Sequence, residues 1–340
     1  MNLKEVSENL GLSPTTVSRA LNGYPEVSEM TRQRVIAAAQ QHNYLPNARA
    51  KGLAMGRAHA IGHVIPIAEQ HEMLNPIFMD FIAGAGETYS AAGYEMVLNL
   101  VPKDKEVETY QSLHSRGAVD GVILHAPTMQ DDRLDLLNDL EMPFAVHGRV
   151  SDKDSPYSYV DVNNRRAFTR ATDFLLALGH RRIALINGQE SMDFALRRRQ
   201  GFERALAERG IAVDPDLMSA DDMTEDYGYR QARRMLDRED APTAFLVSSI
   251  LPAMGVRRAV EELGLTLGRE VSVVTYDDVL SFLTNGSGIP IFTATRSSVR
   301  EAGRRLAQIL IDQINHPDAP KQQVLLEAEL TVGQSTGPAP

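Results

Sequence analysis

From Ala60 onward the chain repeats one pattern, a short β-branched run followed by a helical stretch, and that pattern restricts the fold more than any single motif. The runs AIGHVIPI, YEMVLNLV, DGVILHA and PFAVHG alternate with helical stretches at about 76–92, 104–116 and 131–140, and Gly93, Gly117 and Pro143 mark the turns between them. After YSYVDVN a second set begins. It contains RRIALIN, TAFLVSS and VSVVTYD, with helices predicted at about 164–178, 194–209, 227–238 and 252–263. Right-handed strand–helix–strand crossovers turn each set into a doubly wound parallel α/β lobe. Two such lobes face each other across a cleft lined by the loops at the carboxyl ends of the strands, which is the default place for a ligand.

The first 58 residues follow a different grammar. In NLKEVSENLGLSPTTVSRALNG, Leu3, Val6 and Leu10 recur at helical spacing, Gly11 breaks the run, and Ser13-Pro14 supplies an N-cap followed by proline at the first helical position. Val17 and Leu21 give the second short helix one buried face. Thr15, Thr16, Ser18, Arg19 and Asn22 then point outward with groups that can reach base edges or phosphates. A third helix from Ser28 to about Tyr44, with Val35, Ala38 and Ala39 facing inward, closes a small helix-turn-helix head.

Charge is divided along the same line. The 340 residues carry a formal charge of −10, yet residues 1–60 hold seven basic and four acidic groups, +3, which leaves 28 basic against 41 acidic groups, −13, in the remainder. A basic head on an acidic body suits a protein that touches phosphates at one end only. The polar amphipathic start is unlike a signal peptide, and no apolar stretch approaches the roughly 20 residues that span a bilayer, so the expected location is the cytoplasm. With no cysteine there is neither a disulfide nor a thiolate metal site, and neither a metal nor a cofactor is expected.

The runs SPTTVSRALNG and VSEMTRQRVIAAAQQHNYLPNARAKGLA resemble the head and hinge of the lactose and galactose repressor (LacI/GalR) family of bacterial transcription regulators, and the likeness continues through most of the chain. The resemblance implies that Thr15, Thr16, Ser18, Arg19 and Asn22 face the major groove of an operator. It assigns Ser28, Thr31, Tyr44 and Asn47 to phosphates, and Leu53 to a wedge that unstacks a central base step in the minor groove. It also implies a body like a type I periplasmic binding protein, in which the chain crosses between lobes three times, near 159–162, 290–297 and 319–324. The expected domains are a head at 1–46, a hinge helix and linker at 47–58, and an effector-binding and dimerisation body at 59–340. Within the body the lobes are expected at about 59–160 with 292–321, and 161–291 with 322–332. The helix at 298–315 is expected in the first lobe and a single terminal strand at 323–331 in the second.

Several residues stand where the cleft is expected. Asn75-Pro76 with Phe78 begins a helix, while His125 and His147-Gly148-Arg149 end consecutive strands of one lobe. In the other lobe the resemblance assigns Arg198, three residues before Gly201, and Asp277, at the end of VSVVTY, to ligand hydroxyls, and leaves Asp278 as a turn or cap residue. There are departures from the family pattern: Ser249 replaces an amide, Met223 an aromatic platform and Ser297 a glutamine. The expected partners are a pseudo-palindromic operator, a second copy of the chain, and a mono- or oligosaccharide effector. An enzyme would need a phosphate loop, HExxH, GxSxG or a catalytic cysteine, none of which is present, and a periplasmic sugar-binding protein has no use for residues 2–53.

Overall fold

The computed structural model describes residues 2–21, 24–42, 44, 57–67, 76–151 and 156–340. Of the residues singled out above, Asn22, Asn47, Leu53 and Asn75 lie outside that set. The chain forms two compact units, a head within the first 59 residues and a body that starts at Ala60.

The head has three helices, α1 (Leu3–Leu10), α2 (Pro14–Leu21) and α3 (Glu29–Gln41). Asn2 and Glu5 form a reciprocal capping box on α1, and Gly11 ends it at φ 66°, a left-handed conformation that glycine adopts without Cβ strain. Ser28 caps α3 by accepting the Thr31 N–H. Val6, Val17, Ala20, Val27 and Val35 make the core, with Leu3, Leu10, Leu12, Leu21 and Tyr44 packed around it. Ala20 is thus more deeply placed than Leu21, and Ala38 only half-buried.

The body contains two six-stranded sheets. Lobe 1 is built from β1 (Ala60–Ile67), α4 (Pro76–Ala91), β2 (Glu95–Pro102), α5 (Glu106–Ser115), β3 (Gly121–His125), α6 (Arg133–Asp139), β4 (Phe144–His147) and β5 (Ser158–Val162). Lobe 2 continues with α7 (Asn164–Ala177), β6 (Ile183–Asn187), α8 (Asp193–Ala207), β7 (Met218–Ala220), α9 (Glu225–Leu236), β8 (Ala244–Val247), α10 (Ile250–Glu262), β9 (Ser272–Asp277) and β10 (Thr293–Arg296). The chain then forms α11 (Val299–Asn315), β11 (Gln323–Leu326) and β12 (Glu329–Thr331). Strand order is β11-β5-β4-β3-β1-β2 in lobe 1 and β12-β10-β9-β8-β6-β7 in lobe 2. Among these described strands every pairing is parallel except β10 with β12.

There are three crossings, each at or just past the C-terminal end of its expected range. Residues 159–162 are the interior of β5, paired to β4 and β11 in lobe 1, so the first crossing follows Val162. Residues 293–296 are β10, paired in parallel to β9, so the second crossing comes at Ser297-Ser298, at the very end of the expected 290–297. The expected terminal strand divides: residues 323–326 pair with β5 in lobe 1, and 329–331 pair with β10 in lobe 2. The third crossing lies between those two pieces. Short edge strands take their partner from register across the sheet, which hydrophobic pattern does not encode. Helix α11 does return to lobe 1, where it packs on α4.

Candidate functional site

In the head, α2 turns Val17 and Ala20 inward and leaves Thr15 and Arg19 exposed, with Thr16 and Ser18 half-buried. The Ser13 hydroxyl caps α2 by accepting the Thr16 N–H at 3.0 Å and lies 2.8 Å from the Thr16 hydroxyl. Ser28 and Thr31 join their hydroxyls at 2.9 Å at the exposed start of α3. Tyr44 is half-buried against the core, and burial pushes its phenol pKa up. The outward face of α2 and the start of α3 therefore present hydroxyls and one guanidinium, groups suited to base edges and phosphate oxygens.

In the body, the wall of lobe 1 is aromatic and imidazole-rich. His125, at the end of β3, stacks on His63 with centroids 5.2 Å apart and meets the edges of Phe78 at 4.8 Å and Phe81 at 5.1 Å. His147, half-buried at the end of β4, stacks on Phe81 at 4.2 Å. His63 belongs to the middle of β1 and is fully buried. Its Nδ1 lies 2.9 Å from His125 Nε2, and its Nε2 3.1 Å from the Tyr89 hydroxyl. Burial disfavours the cationic form, which lowers His63 to about 3, His147 to about 4 and His125 well below its ordinary value. The rings are therefore neutral at pH 7. Despite this gathering of histidines, no cluster of metal-ligand geometry occurs among the described residues.

Arg149 does not stand free beside His147. Its Nε donates to Asp161 at 2.7 Å, and Asp161 also accepts from Asn164 at 3.3 Å, just past the first crossing. Asn164 in turn accepts from Arg198 Nε at 2.8 Å, and Arg198 Nη1 donates to the Ser248 carbonyl at the end of β8. One hydrogen-bonded chain thus runs from the end of β4 in lobe 1 to the end of β8 in lobe 2.

Arg198 is only 6% exposed and is boxed by aromatic faces, Tyr276 at 4.0 Å, Phe194 at 4.9 Å and Phe168 at 5.2 Å. Burial lowers its pKa, opposed by Tyr276, Asp278 and Asp161. Phe194 and Met223 both close on Gly188, so Met223 does stand beside the box. Ser249 is fully buried, and its hydroxyl caps α10 by accepting the Leu251 N–H at 3.4 Å.

The two adjacent carboxylates, expected as a ligand residue and a turn residue, are held in different ways. Asp277, 1% exposed, accepts Arg296 Nε at 2.9 Å and the Val279 N–H at 2.8 Å, so it holds an ion pair and a turn. Asp278 is the carboxyl whose electrostatic neighbour is Arg198. Burial pushes it up to about 7, against the pull of Arg198 and with a further push from Asp277. Sequence reasoning missed His63, Phe81, Tyr89, Asp161, Asn164 and Phe194. A signal existed for His63, since a lone histidine inside the apolar run AIGHVIPI must find a buried partner.

The lobes touch at two places. Asp193 N–H donates to the Pro127 carbonyl at 3.1 Å, and its carboxylate accepts from Ser151 and from Arg197. On the other side Asp80 accepts the Ser281 N–H at 2.6 Å.

Comparison with known proteins gives this geometry its context. Residues 2–47 match the family described as bacterial regulatory proteins, lacI family, and residues 172–336 match the periplasmic binding protein-like domain. The HTH-type transcriptional regulator AglR of Rhizobium meliloti is 45% identical, over 100% of this chain and 95% of its own length. The chain belongs to the LacI family. The HTH-type transcriptional regulator CelR of Thermobifida fusca is 30% identical over 98% of this chain and 97% of its own. Among solved structures, a CelR–cellobiose complex matches with a TM-score of 0.73 at 29% identity, covering 98% of this chain and 99% of that one. The Lac repressor dimer bound to operator and the anti-inducer ONPF matches with a TM-score of 0.82 at 28% identity, covering 99% of both chains. As a LacI-family HTH-type regulator the protein is not an enzyme. No described helix is long and apolar enough to cross a membrane.

Proposed function

We propose that this regulator is a cytoplasmic, dimeric repressor that grips a pseudo-palindromic operator through two heads and is switched by a mono- or oligosaccharide held between its lobes. In this reading Thr15, Thr16, Ser18, Arg19 and Asn22 read the major groove, Ser28, Thr31, Tyr44 and Asn47 contact phosphates, and Leu53 is the minor-groove wedge. Head, hinge and body are taken as residues 1–46, 47–58 and 59–340. The observation that carries the reading is the bonded chain Arg149–Asp161–Asn164–Arg198–Ser248, because a ligand that repositions Arg198 acts on the crossing that joins the lobes. Arg198 supplies donors and Asp278 an acceptor to hydroxyls, while Phe78 and His147 offer flat surfaces to a sugar ring and His125 a ring nitrogen. Ser249 borders the same loops, Asn75 is taken as a further polar contact, and Arg149 and Asp277 act by holding Asp161 and Arg296 in place. Support comes from the cellobiose carried by a CelR structure and the operator carried by the Lac repressor dimer.

The test is calorimetry with a sugar panel that includes cellobiose, since the chain has no tryptophan to report binding, followed by gel shift on operator with and without the sugar that binds. Arg198→Ala is expected to keep operator affinity and lose the response to sugar, because linkage requires the site and the switch to fail together. Arg19→Ala is expected to do the reverse, losing roughly 1 to 3 kcal/mol of operator binding with sugar affinity unchanged. Parental behaviour in both variants would reject the assignment.

A further inference from the structure

His125 is fixed from several sides and left with one open position. Its carbonyl and that of Ala126 accept from Arg133 at 3.2 and 3.4 Å, and Arg133 is itself held by Asp131 and Glu106. Ala126 has φ 45°, a left-handed conformation unusual for alanine, so the backbone immediately after His125 is held against its own preference. The ring is packed by Phe78, Phe81 and His147, and Nε2 faces His63. That leaves Nδ1, which is buried and has no hydrogen-bond partner among the described residues. Two residues further on, the Pro127 carbonyl accepts the Asp193 N–H of lobe 2, so the segment that carries His125 lies where the lobes meet.

We propose that His125 is a hydrogen-bond donor to the bound effector, and that Tyr89 and His63 behind it are positioning residues that set it as a donor rather than an acceptor. This rests on the reading of the cleft as a sugar site. The argument counts protons along the row Tyr89–His63–His125. Both imidazoles are neutral, so each carries one N–H. If the Tyr89 O–H donates to His63 Nε2, then His63 Nδ1–H donates to His125 Nε2, and the proton of His125 stands on Nδ1. One donor remains open. If the row runs the other way, His125 Nε2–H donates to His63 Nδ1 and His63 Nε2–H to the tyrosyl oxygen. The Tyr89 proton then has no acceptor, and His125 Nδ1 becomes a bare lone pair as well. Burying two unpaired groups costs more than burying one, and the first direction leaves only the group that a ligand oxygen can satisfy. The mixed states set two lone pairs or two protons against each other 2.9 Å apart. A donor at this point selects ligands that present a hydroxyl, ring or glycosidic oxygen there.

The experiment is a long-range proton–nitrogen correlation spectrum of the histidine rings in the full chain labelled with 15N-histidine, first without sugar. The expected result is His63 and His125 both protonated at Nδ1; protonation of His125 at Nε2 would overturn the proposal. In Tyr89→Phe each direction leaves one unpaired donor and one unpaired acceptor, so the Nε2-protonated form of His125 is expected to appear beside the other. A spectrum identical to the parent's would remove Tyr89 from the relay, and the parent spectrum alone decides the direction if the variant does not fold. Cellobiose, maltose, sucrose and lactose are then titrated in parallel by calorimetry and by the same spectrum. The His125 Nδ1 signal is expected to move over the concentration range in which heat is released. Heat without movement would refute the contact. Absence of heat from all four would count against the sugar reading, and the donor role toward a sugar would fall with it, while the tautomer result would still judge the relay.

Discussion

At the scale of single residues, the end of β9 shows how one step along a strand separates two carboxylates. Successive side chains leave a strand on opposite faces. Asp277 is in register with Arg296 on β10 and pairs with it, whereas Asp278 comes under the charge of Arg198. Asp277→Asn is therefore expected to weaken the fold by about 1 to 3 kcal/mol through loss of a charge-assisted bond, read as a lower urea midpoint, with sugar affinity little altered. Asp278→Asn is expected to lose about tenfold or more in sugar affinity. It carries a pH signature too. The native carboxyl titrates near 7 and an ordinary aspartate near 3.8, so between those values the native state holds a proton that the unfolded chain has released. The parent's stability from this group is present at low pH and is lost as pH rises through the window, by roughly 1.4 kcal/mol per pH unit. The asparagine variant lacks that loss, so its stability relative to the parent should climb from pH 4 to pH 7 and then level off. A constant difference across that range in urea titrations would mean that Asp278 ionises as an ordinary aspartate. The type and place of both residues were legible in VSVVTYDD, but which one met Arg198 was not. That depends on Arg296, nineteen positions on, and on a strand pairing that no local pattern reveals.

At the scale of elements, helices meet through glycine. A Cβ on Gly84 or Gly303 would lie 2.0 to 2.2 Å from a backbone oxygen of the facing helix in the α4–α11 pair; Gly201 shows the same closeness where α8 meets α7. Gly228 and Gly255 do so reciprocally between α9 and α10, at 2.0 Å from the carbonyls of Pro252 and Glu225. Alanine favours an exposed helix over glycine by about 1 kcal/mol, but forcing two backbones apart costs typically 1 to 3 kcal/mol or more. Gly228→Ala is therefore expected to destabilise. Gly86→Ala in α4, whose Cβ would meet only the Met96 methyl at 3.5 Å, is expected to be neutral or to stabilise by up to about 1 kcal/mol. The urea midpoint of Gly228→Ala should fall while that of Gly86→Ala holds or rises, and equal shifts would show that the close approach relaxes freely. Apolar periodicity made these helices legible within a few residues. It was silent about β7, three residues long, and about the break between β11 and β12, because neither buries enough side chain to print a pattern.

At the scale of the whole body, two rims hold the lobes in the arrangement seen. On one, the Ser151 hydroxyl reaches Asp193 and accepts Arg197 Nη2 at 2.9 Å; on the other, Asp80 takes the Ser281 N–H while also facing Arg300 within lobe 1. The rims share no residue, so their contributions should add. Alternating strands and helices announced two lobes with a cleft, but the rim contacts are polar pairs between loops far apart in the chain, which no spacing along the sequence records. A ligand that touches Arg198 on one lobe and the imidazole wall on the other binds best when both are close. Ser151→Ala removes one hydroxyl at an exposed position and leaves both lobes intact. It is expected to release part of the population into a more separated arrangement and to lower sugar affinity by the fraction released, because only the competent state binds. Asp80→Ala should do the same at the other rim, and the double variant should lose about the product of the two factors. Small-angle scattering should show a larger radius of gyration without sugar and the parental value at saturation. By reciprocity, operator affinity in each variant must shift by an amount that sugar reverses. Variants that bind sugar as the parent does, with unchanged scattering, would show that the rim contacts are incidental to the arrangement of the lobes.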